Sequence, residues 1–72
     1  MYCLAVFSSR NETLYLAKML AENGFRIAIV NTPKEAGLAC GISVKFSSEF
    51  SNIAKIIISR RSFATFAGFY NG

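Results

Sequence analysis

Seventy-two residues make one domain near the lower size limit for independent folding, and 53% hydrophobic content is more than a single small core can hide, which predicts a homodimer. The net charge of +4 comes from eight scattered Lys and Arg against four Glu. No His and no Asp are present, which excludes Ser-His-Asp and Cys-His nucleophile systems and leaves two Cys without partners for a tetrahedral zinc site. The basic residues are too dispersed for a nucleic-acid stripe, with only Arg60 and Arg61 adjacent, so nucleic-acid binding is not expected.

Tyr2 to Phe7 is apolar throughout and reads as a strand buried on both faces, central in its sheet. The N-terminus shows no basic segment or cleavage pattern, and no apolar run is long enough to span a bilayer. These features predict a cytoplasmic protein with no membrane partner, whose thiols stay reduced. Ser9-Arg10-Asn11-Glu12 has the form of a capping box, followed by Thr13, Leu16, Ala17, Leu20 and Gly24 on one helical face. Asn23-Gly24 supplies the stop.

Phe25 to Asn31 is the second strand, with Phe25, Ile27 and Ile29 on one side and Arg26 on the other. In Thr32-Pro33-Lys34-Glu35, Thr at the cap and Pro at the first helical position predict one short helical turn, closed by Gly37. Small residues then lead through Cys40-Gly41 into a third strand, Ile42 to Phe46. Ser47-Ser48-Glu49 opens a second helix with Phe50, Ile53, Ala54, Ile57 and Ile58 inward and Arg60-Arg61 at its end. Ser62 to Tyr70 reads as a last, aromatic-rich strand. Its Phe63, Phe66, Phe69 and Tyr70 belong in the core or an interface rather than in a base-stacking platform, because such platforms use the central strands.

Strand, helix, strand, strand, helix, strand over residues 1–72 predicts one α+β domain. Its expected architecture is a ferredoxin-like βαββαβ two-layer sandwich, an antiparallel sheet with both helices on one face. Placing strands one and three side by side and parallel brings Cys3 and Cys40 to the same end of the sheet. The first strand-helix loop carries Ser8-Ser9 and no cysteine, so a soft-metal site there is excluded.

Cys40 is the chemical candidate. It precedes Gly41, which permits a positive φ, and it lies near Lys34 and Lys45 in sequence, cations that stabilise a thiolate. The competing reading is a small buried hydrophobe. Cys3, inside an apolar strand, reads as core, with a redox relay to Cys40 as the alternative.

The chain resembles a family of short bacterial domains described as selenium/sulfur carrier protein-like. The resemblance runs from Leu4-Ala5-Val6-Phe7-Ser8-Ser9 to Gly68-Phe69-Tyr70. Its most specific parts are Thr32-Pro33-Lys34-Glu35 and Cys40-Gly41-Ile42-Ser43-Val44-Lys45-Phe46. Ala36-Gly37-Leu38-Ala39 carries fewer serines than the family pattern. The resemblance implies a carrier rather than an enzyme, holding sulfur or selenium on Cys40 between donor and acceptor proteins and needing no cofactor. Thr32, Pro33, Lys34, Gly41 and Lys45 would support the thiol. The alternative function is a non-catalytic, dimerising interaction or small-ligand-binding module, to which Cys40 is incidental.

Overall fold

The computed structural model describes residues 1–37, 41–61 and 63–72. Its elements follow the predicted order: β1 (Tyr2–Phe7), α1 (Arg10–Glu22), β2 (Ile27–Asn31), β3 (Ile42–Ser47), α2 (Ser51–Arg61) and β4 (Phe66–Asn71). Short 3₁₀ turns at Lys34–Ala36 and Ser48–Phe50 precede β3 and α2. The strands form one sheet in the order β2-β3-β1-β4. Ala5, Phe7, Val44 and Phe46 cluster with Leu16, Ala17 and Leu20 of α1 and Ala54 of α2, which places both helices on one face. This is the α+β two-layer, ferredoxin-like arrangement.

The parallel pairing expected of β1 and β3 is corrected. They are antiparallel, with Cys3 opposite Phe46 and Val6 opposite Ser43. β3 doubles back antiparallel to β2. The α1 crossover returns the chain so that β2 runs in the direction of β1. A strand inserted between them therefore opposes both. Cys3 thus sits beside the end of β3, while Gly41 adjoins its start, and the strand from Cys3 to Val6 alone accounts for about 10 Å of that separation. The premise that joined the two thiols is lost; Cys40 itself lies outside the described residues, as do Leu38, Ala39 and Ser62.

α1 begins and ends as its sequence directs. The Ser9 hydroxyl accepts from the Glu12 N–H at 3.3 Å. At the other end, the N–H groups of Gly24 and Phe25 donate to the carbonyls of Ala21 and Leu20, with Gly24 at φ 85°, the closing pattern of a Schellman motif. Thr13, Leu16, Ala17 and Leu20 are buried, as their spacing predicts.

Only half of the capping box forms. The Glu12 carboxylate does not return to Ser9. It accepts from the N–H of Ala64 at 3.1 Å, the N–H of Thr65 at 2.9 Å and the Thr65 hydroxyl at 2.6 Å. The Thr65 hydroxyl oxygen in turn accepts from the Ser9 N–H at 3.1 Å, and the Ser8 N–H donates to the Thr65 carbonyl. The segment before β4 offers N–H groups at the mouth of α1, and the Glu12 carboxylate gains three hydrogen bonds there against the single one that the Ser9 amide could give it. This clasp explains why β4 starts at Phe66 rather than Ser62.

These bonds hold the Glu12 carboxyl below its usual range, first through the Thr65 hydroxyl, then through the Thr65 amide; desolvation opposes them, and the Ala64 amide adds least. The sign follows from the ionised form being favoured in the folded state. The stabilisation is complete above the ordinary carboxylate value and is lost as pH falls through the lowered folded value. Urea midpoints measured from about pH 6 down to pH 2 should therefore fall less steeply in Glu12→Gln than in the parent. Thr65→Val should cost about 0.5–1.5 kcal/mol, the net worth of a hydrogen bond at a half-buried site, because it removes the hydroxyl shared by the Ser9 amide and the carboxylate.

Two apolar residues expected inside are exposed. Ile53 is 37% exposed on α2, and Ile29 is 42% exposed on β2, which is an edge strand. Phe63, Phe66 and Phe69 pack against the core as expected, with Phe7 meeting Phe63 at 5.1 Å and Phe66 at 5.3 Å between ring centres. No helix among the described residues is long and apolar enough to cross a membrane.

Candidate functional site

The residues on either side of 38–40 are held by the β2–β3 connection. Asn31 pairs with Ile42, and the Thr32 N–H donates to the Gly41 carbonyl at 3.0 Å. Beyond that bond, the Thr32 and Ser43 hydroxyls meet at 2.7 Å. Ser43 is fully buried, so this pairing satisfies a polar group that would otherwise be costly in the sheet. Thr32 therefore does not cap the following turn. Pro33 occupies the cap position with no side-chain bond, so the turn starts one residue later than expected, since the Thr32 hydroxyl is already engaged.

The turn Lys34–Ala36 closes through Ala36 N–H to the Pro33 carbonyl and Gly37 N–H to the Lys34 carbonyl. Gly37 and Gly41 have φ of 72° and 98°, in the region that disfavours every residue with a Cβ. A Cβ at Gly41 would meet nothing within 4 Å, so the glycine is required by backbone conformation rather than by space.

The structure brings Thr32, Pro33, Lys34 and Gly41 into one connection, with Lys34 and Gly41 exposed. Lys45 is placed elsewhere. It lies on the sheet face away from the helices, half-buried, opposite Leu4 and Ala28, and its ammonium stands 4.6 Å from the centre of the Tyr2 ring. Cys3 is a free, half-buried thiol packed against the core. Sequence reasoning missed Ser43 as the partner of Thr32; the signal was a small hydroxyl alternating with Ile42 and Val44 in a strand otherwise suited to burial.

The helix-free face also carries a shallow concavity of about 350 Å³ beside the β2 edge, lined by Tyr2, Arg26, Ala28, Val30 and Lys45 among others. Among the described residues no group of three or more His, Cys, Asp or Glu side chains could hold a metal ion.

No curated protein and no solved structure shows significant similarity to the chain. A family model does match it, over residues 2–70, a span that takes in the sheet up to Tyr70 of β4, both helices and the Thr32–Gly41 connection. The chain belongs to the family described as "Putative Se/S carrier protein-like".

Proposed function

We propose that this protein carries sulfur or selenium on the Cys40 thiol between a donor protein and an acceptor protein. The observation that supports this most is the framed connection around residue 40 in a chain of the carrier-like family: Gly41 at positive φ, its carbonyl bound by Thr32, and Thr32 locked to buried Ser43. Such a frame gives one short segment a fixed exit from the sheet. Exposed Lys34 lies in the adjoining turn and favours the thiolate. Lys45, whose ammonium stands over Tyr2, belongs to the surface that meets an acidic partner.

The chemistry is sulfur exchange without net oxidation. The Cys40 thiolate attacks the outer sulfur of a donor persulfide, R–S–SH. A Cys40 S–S bond forms, the donor S–S bond breaks, and the donor leaves as its thiolate while the proton stays on the carried sulfur. Delivery reverses the roles, as the acceptor nucleophile takes the outer sulfur and Cys40 leaves as thiolate. Turnover belongs to the partner enzymes.

The test is loading by a persulfide donor, read by intact mass. Cys3→Ala should gain one sulfur atom at residue 40 as readily as the parent. Loading confined to Cys3 would contradict the proposal and leave a binding module.

A further inference from the structure

The sheet has two edges, and only one is blunted. β4 carries Gly68 at φ 125° and a register shift where it meets β1. Irregularities of this kind discourage further strand pairing. β2 has neither. Ile27-Ala28-Ile29-Val30-Asn31 is five residues without charge, proline or bulge, and Ile29 is 42% exposed.

The phase of its outer hydrogen-bonding groups is fixed. Thr32 donates to Gly41, the residue opposite it, so Thr32, Val30 and Ala28 direct their backbone groups toward β3. Ile27, Ile29 and Asn31 therefore present theirs to the open edge. An antiparallel partner must oppose outward groups with outward groups. For a second copy, pairing Ile29 with itself uses all three: Ile27 meets the partner's Asn31, and Asn31 the partner's Ile27. On the helix-free face, Ala28 then meets the partner's Val30. Ala28 lines the 350 Å³ concavity beside this edge, so the small residue of one copy leaves room for the larger residue of the other, twice.

The same register sets Arg26 of one copy opposite the partner's Thr32. Arg26 and the Thr32–Ser43 hydroxyl pair share the helix-free face, where Arg26 lines the concavity and has no carboxylate partner among the described residues. We propose that two copies of this chain join through β2, antiparallel about a two-fold axis at Ile29, so that each copy supplies its Arg26 to the base of the other's Cys40 connection. The effect on Cys40 rests on the carrier reading; the interface does not.

Three measurements test this. The mass in solution at about 100 µM should be twice the 7.9 kDa of the chain, a concentration that populates even a micromolar dimer. Ile29→Pro should run at the single mass with unchanged circular dichroism, because the N–H it removes points away from β3. A single mass for the parent, or a dimer that survives Ile29→Pro, would overturn the interface. In a Cys3→Ala, Cys40→Ser background, Ala28→Cys and Val30→Cys proteins should form a mixed disulfide under mild oxidant, since opposed residues there lie about 4.5 Å apart at Cα. Cross-linking of Ala28→Cys to itself in preference would overturn the register.

With Cys3→Ala alone, Arg26→Gln and Ile29→Pro should each slow Cys40 alkylation at neutral pH by about three- to tenfold, as a half to one unit of thiol pKa would. Unchanged rates with the dimer confirmed would remove the contribution of Arg26. An inert Cys40 in the parent would end the carrier reading and leave the mass and cross-linking results standing for the interface.

Discussion

Phe7→Ala is expected to remove roughly half of the protein's folding stability. Phe7 is fully buried at the end of β1, under α1, and its ring meets Phe63 at 5.1 Å and Phe66 at 5.3 Å. Deleting it removes the transfer term, opens a cavity and breaks both ring contacts, about 3–5 kcal/mol in all. A chain of 72 residues has a total stability of roughly 4–10 kcal/mol. One side chain thus accounts for a large share of it. Phe7→Leu, which keeps most of the volume, should cost only about 1.5 kcal/mol. The comparison is made by urea unfolding followed by circular dichroism, and a loss below about 1 kcal/mol in Phe7→Ala would mean that the Phe7 cluster is not the centre of the core.

Cys40→Ser is expected to reduce sulfur loading to background while leaving the fold intact. A hydroxyl is not ionised near neutral pH and forms no stable link to a sulfane sulfur, so the substitution removes the chemistry rather than tuning it. The expected effect on transfer is at least about a hundredfold, because the thiolate is the nucleophile. The same substitution should leave the urea midpoint almost unchanged. Sulfur loading that persisted in Cys40→Ser would assign the chemistry to Cys3.

Local signals in the sequence were read well where both partners lie close along the chain. Ser9, the Thr13-Leu16-Ala17-Leu20 stripe and Asn23-Gly24 set α1 through contacts three to five residues apart. Glu12 shows where such reasoning ends: its cap partner is three residues away, yet Ala64 and Thr65, more than fifty residues on, take its carboxylate. The direction of β3 against β1 was also a long-range matter, decided by the order in which strands insert into the sheet. Lys45 marks the same boundary within the candidate site. It is near in sequence to the connection, but it lies three positions into β3 from Ile42, about 10 Å along the strand, and side-chain alternation puts it over Tyr2. Thr32-Pro33-Lys34 and Gly41, by contrast, were legible together because the β2–β3 connection is short enough to keep them so.

The carrier account turns on the state of one thiol. The measurement that tests it most directly is the pH dependence of Cys40 alkylation in folded Cys3→Ala protein. The account predicts rapid labelling without denaturant and an apparent pKa clearly below the free-thiol value of about 8.5. Labelling that is slow until denaturant is added would contradict it, and would make Cys40 a packing residue in a dimerising interaction module.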